Sequence, residues 1–103
     1  MQLGNIELPT ETVDRFCQKW QIAELALFGS VLRDDFRPDS DLDILISFAP
    51  NTPWTLLDLI TMQQELEQIA GRNVDLIEKH VIETSDNWIR RNEILSTARV
   101  VYS

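Results

Sequence analysis

This 103-residue chain is poor in cysteine, in histidine, in basic residues and in long apolar runs. Its one cysteine, Cys17, cannot close an internal disulfide, so the fold needs no staple and a reducing compartment, the cytoplasm, is expected. A single histidine, His80, excludes a multi-histidine metal site; it follows an apolar run and reads as a loop residue. No apolar stretch approaches the ~20 residues that cross a bilayer. Met1-Gln2-Leu3-Gly4-Asn5 has neither the basic start nor the apolar core of a secretion signal, so no membrane association is expected. Nine Lys and Arg stand against seventeen Asp and Glu, a net charge of −8. The cations are scattered, only Arg90 and Arg91 are adjacent, and no basic–aromatic stripe predicts direct contact with nucleic acid. The acidity suits solubility, and equally a basic partner surface. Repeats, low-complexity tracts and linkers are missing too, which leaves one domain over residues 1–103.

What is present is enough apolar material for a core. The hydrophobic fraction is 44%, with three Trp, and a chain of this length buries roughly 60–70% of its unfolded surface. After a loose lead-in over residues 1–8, Pro9 and Thr10 start a helix with Val13, Phe16, Cys17 and Trp20 on one stripe. Glu24 to Phe28 reads as a strand, ended by Gly29-Ser30 and a helical turn or two through Val31, Leu32 and Arg33. Arg37-Pro38-Asp39-Ser40 is turn chemistry. Asp41 to Phe48 is the next strand, with Leu42, Ile44, Ile46 and Phe48 on one face and Asp41, Asp43, Leu45 and Ser47 on the other. Thr52 and Pro53 read as the cap and first residue of a helix to Ala70. Its inward side is predicted as Leu56, Leu59, Ile60, Leu66 and Ile69, and its stop as Gly71. Asn73 to Lys79 is a third strand. A last helix, capped by Thr84 or Ser85, runs to about Thr97 with Trp88, Ile89 and Leu95 inward, and residues 98–102 form a short closing strand. Interleaved helices and strands predict a mixed α/β fold, a small sheet flanked by helices, with strand order open.

Five of the nine Asp fall between Asp34 and Asp43, a cluster that repels itself unless a cation is near. Asp41 and Asp43, two apart on a strand, point the same way with Cα atoms about 6.5–7 Å apart. Such carboxylates can converge on one magnesium or bridge two ions about 3.5–4 Å apart. A bare Asp-x-Asp is more often a solvated strand entrance, but Asp is a poor strand former, and two at the head of an apolar strand call for a reason. Asp75 stands alone in Val74-Asp75-Leu76-Ile77, on the face opposite Val74 and Leu76. If its strand neighbours the second one, Asp75 joins the cluster, as a third metal ligand or as the base for an attacking hydroxyl; otherwise it is a surface residue of an edge strand. Gly29 lets backbone approach a phosphate, and Ser30 adds a hydroxyl and an N–H; alone the pair is only a common turn. Arg33 can reach a phosphate or pair with the Asp cluster, and Arg37 is less well placed for either. Ser40 is expected to stabilise its turn. Cys17 lies on a core stripe and is expected to pack there; Trp20, Trp54 and Trp88 are core or interface material.

Leu27-Phe28-Gly29-Ser30-Val31-Leu32-Arg33, followed by Arg37-Pro38-Asp39-Ser40-Asp41-Leu42-Asp43-Ile44, resembles the polymerase-β-like nucleotidyltransferase superfamily, and most closely its minimal, MNT-type members. The resemblance runs from about Ala23 to Glu78. The spacing of Gly29-Ser30, ten residues, then Asp41-Leu42-Asp43 is specific when flanked by strands. It implies that Asp41, Asp43 and Asp75 bind two Mg2+ ions as a catalytic triad, that Gly29 and Ser30 hold the phosphates of ATP, and that Arg33 lies near them. The implied reaction moves a nucleoside monophosphate from a triphosphate to a hydroxyl and releases pyrophosphate. Members of this size are often encoded beside a HEPN-family toxin, as antitoxins that transfer AMP to a toxin tyrosine. The chain is not the HEPN partner, since no Arg is followed four to six residues later by His. One departure stands out: Asp34 occupies the position after Arg33 where many members carry Gly. Two other functions compete: a catalytically idle antitoxin that masks a basic toxin, and a nucleotidyltransferase acting on small molecules, which the lack of a second domain disfavours.

Overall fold

The computed structural model describes residues 2–3, 6–34 and 36–103. Its elements are β1 (Gln2–Leu3), β2 (Ile6–Glu7), α1 (Thr10–Lys19), β3 (Ile22–Phe28), a single 3-10 turn (Gly29–Leu32), β4 (Leu42–Phe48), α2 (Leu56–Ala70), β5 (Val74–Glu78), α3 (Lys79–Glu83), α4 (Trp88–Thr97) and β6 (Arg99–Tyr102). Four strands form one mixed sheet in the order β5-β4-β3-β6. β3 runs antiparallel to both β4 and β6, whereas β4 and β5 are parallel neighbours joined through α2, as a crossover requires.

The period-two pattern of β4 sorts its side chains between two cores. Leu42, Ile44 and Ile46 pack with Leu25, Leu27 and Val74 under Val13, Phe16 and Cys17 of α1 and Met62 and Leu66 of α2. Leu45 faces the other way and joins Ala26, Phe28, Ile82 of α3 and Ile94 of α4. The second face carries the smaller apolar cluster, and it is the face of Asp43. The predicted stripe of α1 is buried throughout, and Gly71 ends α2 in the left-handed region at φ 69°. A closing strand is present as β6.

Six expectations are corrected. The lead-in is not loose where it is described: β1 and β2 pair, and Ile6 and Leu8 are buried in the main core. α2 starts after Thr55 and not at Pro53. The Asp58 carboxylate accepts from the Thr55 N–H at 2.8 Å and from the Thr55 hydroxyl at 3.1 Å, and so caps the helix start. The preceding Trp54 is held outside the helix by its indole N–H, which donates to the Trp20 carbonyl at 2.7 Å. The helix docks with Met62 and Leu66 buried, while Leu56 and Ile60 are 72% and 45% exposed. At the C-terminal end, Asn87 caps α4 by accepting from the Arg90 N–H, and Ile94 is buried while Trp88 and Ile89 are exposed. A separate short helix, α3, precedes it and contains His80, which is therefore not in a loop.

Candidate active site

The parallel pairing of β4 and β5 sets Asp43 directly opposite Asp75. On the other side of β4, Asp43 is opposite Phe28, the last residue of β3, and Gly29 follows immediately. Phe28, Asp43 and Asp75 thus form one row across three strands at the end of the sheet. Asp41 lies one residue before β4 begins. Asp43 is half-buried, while Asp41 and Asp75 are exposed. The sheet register therefore brings Asp43 and Asp75 to one face and one end, with Asp41 just before the strand at that same end.

Their electrostatics agree with that placement. Burial raises the Asp43 carboxyl above its ordinary value, and the negative charges of Asp75 and Asp41 raise it further; the Arg33 and Arg90 guanidiniums pull it down. Charge sharing of this kind marks a site that gains from an added cation. Among the described residues no three His, Cys, Asp or Glu side chains form a ready metal cage. The donor set is nonetheless all oxygen and partly solvated, which fits a hard divalent cation that keeps waters and shares phosphate oxygens. Asp41, Asp43 and Asp75 are the residues that could hold it.

Gly29 is required twice over. Its φ is +77°, and a Cβ built on it would run into the Asp43 carboxylate. The absence of a side chain at Gly29 is what lets the Asp43 carboxylate lie this close to the turn backbone. Gly29 and Ser30 lie inside the 3-10 turn itself, and the Ser30 carbonyl accepts from the Arg33 N–H at 2.9 Å. Arg33 follows, exposed, with its charge attracted to Asp43. Ser40 has the expected turn role: its hydroxyl accepts from the Arg37 N–H at 3.0 Å. Arg37 is exposed beside it. Cys17 is fully buried and its thiol is pushed up to about 12, by burial first and then by Asp14, so it is no nucleophile. His80 sits at the opposite end of β5 from Asp75, its Nδ1 3.1 Å from Glu78 Oε2.

Two features were missed in the sequence. Arg90, in the first turn of α4, acts on Asp43 from the helix layer; the Arg90-Arg91 pair was visible, but nothing in the sequence says over which strands α4 lies. A cavity of about 340 Å3 opens beside the turn, between Phe28, Gly29, Leu32 and Arg33 on one side and Glu93, Ile94 and Thr97 of α4 on the other. No spacing in the chain announces it.

The chain is similar to known proteins. The family model for the nucleotidyltransferase domain matches residues 10–101. A provisionally named protein adenylyltransferase of Methanocaldococcus jannaschii is 38% identical over 65 residues, 63% of this chain and 64% of the relative. The protein adenylyltransferase MntA of Thermococcus cleftensis is 37% identical over 62 residues, 60% of this chain and 61% of the relative. The matched stretch thus spans less than two thirds of the length of both. Among solved structures, a provisionally named minimal nucleotidyltransferase superposes with a TM-score of 0.64 at 32% identity, over 85% of this chain and 84% of that one. A toxin–antitoxin complex crystallised with AMP-PNP superposes with a TM-score of 0.69 over 93% of this chain and 74% of that one; at 15% identity that likeness concerns the fold.

Proposed function

The chain belongs to the nucleotidyltransferase domain family, beside its minimal members, and from this premise we propose that it is a Mg2+-dependent protein adenylyltransferase acting as an antitoxin. Its substrates are ATP and a tyrosine hydroxyl of a HEPN-family toxin, which the added AMP silences. The observation that carries this reading is the in-register pairing of Asp43 with Asp75 beside Gly29. The names of the relatives support the reaction class, and the toxin–antitoxin neighbour supports the kind of partner.

The roles follow from position. The Gly29 and Ser30 backbone holds the phosphate tail, with Arg33 and Arg90 drawing its negative charge toward the carboxylates. Asp41, Asp43 and Asp75 hold the metal; when bound, Mg2+ neutralises charge on the phosphates and on the leaving group. The tyrosine oxygen attacks the α-phosphorus, a new P–O bond forms, and the bond to the bridging oxygen breaks to release pyrophosphate. Asp75, exposed on edge strand β5, takes the hydroxyl proton in this reading. Its exposure leaves the acceptor side open, so the partner must complete the site.

The test incubates the purified chain with its genomically adjacent toxin, ATP and Mg2+, and weighs the toxin by mass spectrometry. One or more AMP adducts, lost in the D41N/D43N variant, are expected. An unmodified toxin with all components present refutes the reaction. The exposed apolar side chains Leu56, Leu57, Trp88 and Ile89 favour a second reading, neutralisation by masking alone. Under it, D41N/D43N still protects cells from the toxin; under adenylylation it does not.

A further inference from the structure

We propose that Arg72 is a positioning residue that fixes the Asp41 segment against the Asp75 strand, an inference that rests on the adenylyltransferase reading. Arg72 follows Gly71, the left-handed end of α2, and stands three residues before Asp75. Its guanidinium reaches across to the turn that leads into Asp41. Nη1 donates to the Arg37 carbonyl at 3.2 Å and to the Ser40 carbonyl at 3.3 Å. The same guanidinium lies over the Phe36 ring, 4.5 Å from its centroid. A backbone hydrogen bond from Leu42 N–H to the Asn73 carbonyl, 2.9 Å, closes the junction.

Residues 36–40 contribute no strand or helix; their backbone bonds are local, from the Phe36 N–H to the Arg33 carbonyl at 3.4 Å and from the Ser40 N–H to the Arg37 carbonyl at 3.0 Å, the second closing a turn. That turn fixes its own shape but not its orientation toward β5. Arg72 supplies the orientation, because one planar group grips two carbonyls and one ring face together. Lysine has neither the plane nor the fork. The placement also carries a cost: Arg72 Nε is buried and has no hydrogen-bond partner among the described residues. The clasp joins the two polypeptide segments that carry Asp41 and Asp75, and the separation of those carboxylates decides how they share a cation. Partners that orient a metal ligand are typically worth roughly 10–100-fold in metal affinity.

The experiment titrates Mn2+ into the intact chain with saturating AMP-PNP by calorimetry, and follows amide hydrogen exchange on the metal-free protein. R72A, R72K, F36L and D41N are compared with the wild type at a temperature where each is folded. For R72A the Mn2+ dissociation constant is expected to rise about tenfold, with R72K recovering only part and F36L losing less. Exchange is expected to quicken at Leu42 and residues 36–40 while the Leu27 and Ile44 amides stay protected. A folded R72A with wild-type Mn2+ affinity overturns the proposal. So does exchange that quickens equally at Leu27 and Ile44, since that is global loss of stability. If the wild type binds no Mn2+ with AMP-PNP, the adenylyltransferase reading fails as well; if it binds and R72A binds equally, only the clasp fails.

Discussion

Replacing Gly29 by alanine probes the close apposition on which the site depends. The φ of +77° costs an L-residue about 1–2 kcal/mol. The new methyl also strikes the Asp43 carboxylate, which must rotate away from a staggered position at about 0.5–1.5 kcal/mol. Alanine restricts the unfolded chain and returns about 0.4–1 kcal/mol. The net expectation is a loss of about 2 kcal/mol, or a Tm drop of roughly 10 °C for a domain of this size. The two contributions are separable. With Asp43 already cut back to alanine, the collision disappears and only the backbone penalty remains. G29A should therefore cost about 1 kcal/mol less in the D43A background than in the wild type, measured by urea denaturation of the four proteins of the cycle. An identical loss in both backgrounds refutes the apposition of Gly29 and Asp43. A G29A protein as stable as the wild type refutes the left-handed turn as well.

Three further outcomes are expected. Because the Asp43 carboxyl is raised, the folded state holds more protons than the unfolded one between the ordinary and the raised value, so stability falls as pH climbs through that window. In chelator-treated buffer D43N should accordingly melt above the wild type at pH 7, with the gap closing as pH falls below the ordinary 3.8; an equal or lower Tm at pH 7 contradicts the charge crowding. Cys17, buried and pushed up to about 12, should react with a disulfide reagent at pH 8 only after urea unfolding, and rapid native labelling would show that α1 does not pack as described. Asp58→Ala should cost about 1 kcal/mol through the lost α2 cap, while Thr52→Ala stays within about 0.5 kcal/mol; the reverse order would return the helix start to Pro53.

Strand patterning carried more information than helix patterning. In β4 a two-residue period separates Leu42, Ile44 and Ile46 from Asp43 and Leu45, and both sets went to the faces predicted, because a strand in the middle of a sheet has its sides fixed by the pleat. Helix faces were less legible. Leu56, Leu57, Leu59 and Ile60 supply apolar residues on almost every side of the first turns of α2, so the pattern does not name one stripe. What selects the face is the point of entry, set by Trp54 donating to Trp20 and by the Thr55–Asp58 cap. The first of these is a tertiary contact 34 residues apart, which no local window contains. The same holds for α4, where Trp88 and Ile89 lie in the exposed first turn and Ile94 turns inward.

The candidate site divides along the same line. Asp41, Asp43, Gly29 and Ser30 were legible because they lie within one hairpin, where antiparallel pairing of β3 and β4 brings Phe28 opposite Asp43 without help from the rest of the chain. Asp75 needed one more fact, that β5 adds beside β4 in parallel and in register; the sequence supplied only an acid misplaced in an apolar strand. Arg72 and Arg90 needed the whole fold. Arg72 reaches back 32 and 35 residues to the carbonyls of Ser40 and Arg37, and Arg90 acts from a helix whose docking is decided by Ile82 and Ile94. Acids in strands declare themselves because they violate strand chemistry, whereas arginines in loops and on helices are ordinary until a structure shows what they face. Of the cations around this acidic site, Arg33 was legible from its place beside the Gly29-Ser30 turn, whereas Arg90, which acts on Asp43, and Arg72, which braces the approach to Asp41, are the ones that sequence conceals.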